Sequence, residues 1–220
     1  GGAVEGLGGN DTITATNLTY ATVDLVVDTS LTDNDTLTLS TANDISAVPV
    51  VVGIENFNVN VTSSFAGDTL PSSLAFNADN LRNSKLNFDV TNGSSNVTEL
   101  VVTNLPIAVP VTSSSKFTKV AVSADTKAAV TYTGFATNLT LDSAGTLADV
   151  TATVSATTIG TISTDSDASV IVTTAADTTI TAAAALSVRA TSSGQATVVA
   201  NLAKTVTVTA TVTLDGTAST

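Results

Sequence analysis

Val206-Thr207-Val208-Thr209-Ala210-Thr211-Val212-Thr213-Leu214 alternates apolar and hydroxyl side chains without a break. Successive side chains of an extended chain point to opposite faces, so this two-residue period gives one apolar face and one polar face, a division that the 3.6-residue period of a helix would scramble. Further strand candidates are Thr22 to Val27, Thr36 to Leu39, Phe57 to Val61, Lys85 to Val90, Glu99 to Val102, Thr118 to Val122 and Ala129 to Tyr132. From Asn138 onward the centres Leu141, Ala152, Thr161, Ile171, Ile180, Val188, Val198 and Val208 follow one another at intervals of roughly 7–11 residues. The chain reads as all-β, built from many short strands.

Two architectures fit that rhythm, a right-handed parallel β-helix (β-solenoid) and an Ig-like β-sandwich. Composition favours the solenoid. A sandwich core about 10 Å thick is usually filled by large side chains with an aromatic plug, whereas the expected core here is Val, Ala, Thr, Ile and Leu. In stacked coils, like residues line up in rows, where Thr, Ser and Asn satisfy their polar atoms on one another; Asn56, Asn58, Asn60, Asn77, Asn80, Asn83 and Asn87 suit such ladders and turns. Parallel crossovers prefer the right hand. Ala182 to Ala185 are too few to hold a helix and stay within the solenoid. The stretch from Pro106 to Ser115 reads as a loop carrying an edge strand, because Pro cannot donate to a ladder.

Hydrophobic residues make up 43% of the 220, enough to close a core and exclude wholesale disorder. There is no Cys and no His, which removes thiolate and imidazole catalysis, disulfides and soft-metal sites, and leaves oxygen-ligand chemistry. Nineteen acidic residues against seven basic ones give a net charge of −12, which repels nucleic acid and anionic membranes and attracts cations. The imbalance is concentrated: no Lys or Arg precedes Arg82, while Glu5, Asp11, Asp24, Asp28, Asp33, Asp35, Asp44, Glu55, Asp68 and Asp79 do. No run approaches the roughly 18 apolar residues of a membrane-spanning helix, and no signal peptide opens the chain. Starting at Gly1 inside a glycine-rich phrase, the chain reads as a segment of a longer protein.

Gly6-Leu7-Gly8-Gly9-Asn10-Asp11-Thr12-Ile13-Thr14 resembles the nonapeptide G-G-x-G-x-D-x-U-x of RTX proteins, in which glycine-rich turns bind calcium and the apolar residue packs inside a β-roll. Gly6, Gly9, Asp11 and Ile13 match the motif, while Leu7 departs from its second Gly. Glycines allow the tight turn and bare carbonyls, and Asp supplies charged oxygen for Ca²⁺, which takes 6–8 oxygen ligands. One copy cannot complete a site. Asn34-Asp35-Thr36-Leu37-Thr38 echoes Asn10-Asp11-Thr12-Ile13-Thr14 about 24 residues on, close to one coil, and places Asp33 and Asp35 in a turn where they can chelate a cation with Asp28. The alternative for this cluster is an acidic solvated turn. Asp165 and Asp167 form a weaker third candidate.

Gly53-Ile54-Glu55-Asn56-Phe57-Asn58-Val59-Asn60-Val61 looks like the G-[IF]-E-x-[LFV]-x-[VL] coil of RTX-type S-layer proteins and related type I-secreted surface proteins of Gram-negative bacteria, and Gly134-Phe135-Ala136-Thr137-Asn138-Leu139-Thr140-Leu141 resembles a degenerate second copy without the Glu. The resemblance implies a calcium-stabilised structural component of a bacterial surface layer, secreted to the cell surface, self-associating in a lattice and meeting cell-surface polysaccharide. It implies no catalysis. The expected organisation is the end of an RTX-like calcium-binding turn region over 1–14 and one solenoid over 15–220, with Gly6, Gly9, Asp11, Asp28, Asp33 and Asp35 as metal-site residues. An adhesin or stalk module is the competing reading of the same composition.

Overall fold

The alternation seen in the sequence becomes one long ladder. In the computed structural model every strand pairing is parallel, and the chain is an all-β solenoid without a helix among its described residues. Those residues are 2–6, 8–16, 19, 24–30, 32–41, 44–45, 50–62, 73–82, 84–91, 97–106, 109–114, 116–124, 129–142, 150–154, 161–164 and 169–212. Asp165 and Asp167 lie outside them. The antiparallel sheets that a sandwich requires do not occur among the described strands.

Three strands, β1 (Ala3–Gly6), β3 (Leu25–Asp28) and β5 (Val50–Val52), form a short side sheet. The main face stacks β2 (Thr12–Thr16), β4 (Thr36–Thr41), β6 (Asn56–Val61), β8 (Lys85–Val90), β10 (Pro110–Ser113), β12 (Val130–Gly134), β14 (Val150–Val154), β16 (Ser169–Thr174), β18 (Ser187–Val199) and β19 (Thr205–Val212). The opposite face stacks β7 (Ser73–Asn77), β9 (Glu99–Leu105), β11 (Lys119–Ala124), β13 (Asn138–Asp142), β15 (Thr161–Thr164) and β17 (Thr178–Thr181). The 13-residue β18 serves both faces, pairing with β16 through Ser187–Ser192 and with β17 through Ala196–Val199. Isolated bridges from Val51 to Leu81 and from Ile45 to Phe76 carry the coil round its corners.

Register explains the alternation. On the main face Ile13, Leu37, Phe57, Leu86, Val111, Tyr132, Ala152, Val172, Ala190 and Val208 occupy one column, and all point inward. The next position along each strand points out and holds only Thr and Asn: Thr14, Thr38, Asn58, Asn87, Thr112, Thr133, Thr153, Thr173, Thr191 and Thr209. Within that outer column Asn87 Nδ2 donates to Asn58 Oδ1 at 2.8 Å, and Thr112 Oγ1 donates to Asn87 Oδ1 at 2.6 Å. Asn58, Asn87 and Thr112 thus bond to one another along the solenoid axis.

Two expectations are corrected. The core is not made of small residues alone: Phe57, Phe76, Phe117 and Tyr132 are fully buried, and Phe76 meets Phe57 and Phe88 edge-on at centroid distances of 5.7 and 5.2 Å. The rings come from both faces, Phe57 and Phe88 from the main one and Phe76 from the opposite one, and interleave to fill the interior between them. Contacts one coil apart are 29 residues apart in sequence between Asn58 and Asn87 but 18 between Asp177 and Gln195. Nor is β10 an edge strand; it lies between β8 and β12. Pro110 is tolerated because it is the first residue of that strand.

A carboxylate corner between the first two coils

The corner that leads into the main face is built from the residue immediately before each strand. Thr12, Thr36, Asn56 and Lys85 are in register, so Asp11, Asp35, Glu55 and Ser84 stack one above another at that corner. Asp35 Oδ1 accepts the Asp11 N–H at 2.8 Å, and Glu55 Oε2 accepts the Asp35 N–H at 2.8 Å. Each carboxylate therefore caps a backbone donor one coil earlier, and the backbone joins in: Thr36 N donates to Asp11 O at 2.9 Å and Asn56 N to Asp35 O at 3.0 Å. Asn10 Oδ1 accepts from Asn34 N at 2.9 Å, and Asn34 Oδ1 accepts from Asn56 Nδ2 at 2.9 Å, a second column beside the acidic one.

Asp28 reaches the same corner from the side sheet, as the last residue of β3. Its Oδ1 accepts the Ser30 N–H at 2.5 Å, which tightens the turn that follows. Gly53 makes room for it: a Cβ there would lie 2.2 Å from the Asp28 carbonyl oxygen, and the Gly53 φ of 72° lies in the left-handed region. The glycine of the Gly53–Val61 phrase is thus a packing requirement of the corner. Ile54, Phe57, Val59 and Val61 of that phrase are buried.

Carboxylate oxygens of Asp11, Asp28 and Asp35 lie within 4.8 Å of one another. Asp28 and Asp35 are 2% and 0% exposed, and the Oδ2 atom of each is buried without a hydrogen-bond donor. Two carboxylates at that separation repel by about 3–4 kcal/mol at an effective dielectric near 20. Three together need a counter-charge. The Asp11 amide draws the Asp35 carboxyl down, but burial and the charges of Asp28 and Asp33 outweigh it and leave the group above the usual carboxylate range.

Each expected metal-site residue has a definite place. Asp11, Asp28 and Asp35 come together. Asp33 does not join them: its Oδ2 accepts the Gly9 N–H at 2.7 Å, and that bond, helped by Ser30, holds its carboxyl below the usual range. Gly9 acts there as a donor, in the turn where Gly8 and Gly9 have φ of 72° and 112°. Gly6 ends β1 and pairs with Asp28 in the ladder. Glu55, not among the expected metal-site residues, also belongs to the acidic column, and its spacing of 20 residues from Asp35 is the signal in the sequence. Ser84, fully buried and with its Oγ lacking a partner, ends the column where carboxylates stop.

Oxygens on one hard divalent cation lie about 2.0–2.6 Å from it, so carboxylate oxygens within 4.8 Å of one another are close enough to share such an ion. Compared with family models, curated proteins and solved structures, the chain matches none of them.

Proposed function

We propose that this chain is a structural, non-catalytic module of an RTX-type bacterial surface layer, secreted by a type I route, stabilised by calcium and self-associating into a lattice on the cell surface. The observation that carries the reading is the unbroken parallel ladder of ten strands on one face. At the spacing of adjacent strands it is about 43 Å long. A rod of that kind, with an outer column of Thr and Asn whose members Asn58, Asn87 and Thr112 bond along its axis, supplies a stiff side for contacts with neighbouring copies and with cell-surface polysaccharide.

Calcium fits the logic of export. A ligand that binds only the native state adds RT ln(1+[L]/Kd) to its stability, so an acidic coil that is unstable at the low calcium of the cytosol becomes stable at millimolar calcium outside. The test is assembly. Dialysed into millimolar calcium and viewed by negative-stain electron microscopy, the 220-residue chain should form ordered sheets that EGTA disperses. A monomer that stays dispersed in calcium but binds a glycan surface would refute the lattice and assign the chain to an adhesin stalk.

A further inference from the structure

Resting on the calcium reading above, we infer that one divalent cation, held by Asp11, Asp28 and Asp35, latches the first two coils to each other, and that the coils beyond Arg82 fold without it. Asp11 comes from the glycine-rich turn and Asp35 from its echo one coil on, whereas Asp28 enters from β3, on a different side of the coil from the Asp11–Asp35 column. Asp28 Oδ2 and Asp35 Oδ2 are buried without a hydrogen-bond partner and belong to the three carboxylates that meet within 4.8 Å, so they are the atoms that would face the cation; Asp33 Oδ1 is likewise buried without a partner but lies outside that group. The Gly9 amide, by contrast, is committed to Asp33.

The latch has a definite mechanical position. Asp11 precedes β2, Asp28 ends β3 and Asp35 precedes β4, so one ion ties the side sheet to the main face across the join between coils. Without the ion those carboxylates push the elements apart. No comparable group of three acidic residues occurs elsewhere among the described residues. Of the ten acidic residues before Arg82 only Asp79 lies near a basic one in sequence, whereas all seven basic residues lie from Arg82 onward among the remaining nine acidic ones. Phe88, Leu100, Val122 and Tyr132 build an apolar interior there that needs no ion.

Hydrogen exchange read by mass spectrometry, with and without calcium, tests the latch alongside isothermal titration of the same chain. Wild type should bind one strong ion, with slower exchange on calcium addition confined to β1–β4 and no change in β9–β17. Asp28→Asn and Asp35→Asn should each weaken binding by about tenfold or more through loss of a charged ligand, while Asp33→Asn should keep the stoichiometry of one. Both Asn variants lose a repelling charge, so their exchange in EGTA should match or improve on wild type, which shows that they fold. Binding unchanged in both Asp28→Asn and Asp35→Asn, or calcium protection spread evenly to β17, overturns the latch while leaving a calcium-binding protein. A wild type that binds no calcium overturns the latch and the calcium reading together.

Discussion

Gly53→Ala should destabilise the first coils far more than Gly8→Ala, although both glycines have a φ of 72°. The shared backbone effect, an L-residue held in the left-handed region, costs about 1 kcal/mol. The difference is what a Cβ would meet. At Gly8 nothing lies within 4 Å, so the backbone effect is the whole cost. At Gly53 the Cβ would lie 2.2 Å from the Asp28 carbonyl oxygen and 2.9 Å from its carbon, which are backbone atoms that cannot rotate away. Moving them displaces Asp28 and strains the ladder between β3 and β5, adding about 1–3 kcal/mol in the range of overpacked cores. The expected totals are about 2–4 kcal/mol for Gly53→Ala and about 1 for Gly8→Ala. Repeat architectures need not unfold in one step. The assay is therefore local, comparing the exchange of β3 and β5 amides with that of β11 and β13. Equal effects of the two substitutions on β3 would refute the steric account, and slower exchange in Gly53→Ala would refute the geometry of the corner.

Phe76→Ala should cost about 3–5 kcal/mol, because the ring is 1% exposed and meets two others edge-on; a loss under about 1 kcal/mol in urea unfolding would show a loosely filled interior. Ser84→Ala should be neutral or stabilising, since it removes a buried hydroxyl with no partner, and a clear loss of stability would reveal a hydrogen bond at that position. Asp35→Asn should raise the melting temperature in EGTA by relieving repulsion and lower it in calcium by removing a ligand; the same sign in both buffers would refute the cluster as a cation site. In EGTA, Asp35 titrates above its unfolded value, so its ionisation opposes folding at neutral pH and stability should rise as pH falls through its folded pKa. Asp33, held low, contributes stability that is lost only as pH falls below about 4. A melting temperature that declines steadily from neutral pH would contradict the Asp35 environment.

Strand positions were legible because alternation is a local property. Lys85 to Val90 coincides with β8, and the echo of Asn10–Thr14 at Asn34–Thr38 is the true register of β2 on β4. The meeting of Asp28 with Asp11 and Asp35 was only partly legible. Asp11 and Asp35 share a repeat spacing, but Asp28 joins them through the side sheet, whose pairings of β3 with β1 and β5 bring together residues 22 and 25 apart, and contacts that distant have no short-range signature. For the same reason the meeting of Phe57, Phe76 and Phe88 has no local signature: its members come from three strands on two faces.

The inward column stays continuous although contacts one coil apart span 29 residues in one place and 18 in another. Length differences are therefore absorbed between strands and do not accumulate along the rod. Each rung sets its own position on the one beneath it, so a peptide spliced into a corner leaves every later rung where it was, and removal of a whole coil shortens the molecule by one step of about 4.8 Å. A single residue added inside a strand would instead turn that rung inside out, placing Thr in the interior and Val in water. The molecule is a ruler whose graduations tolerate decoration at the margin and no error within a mark.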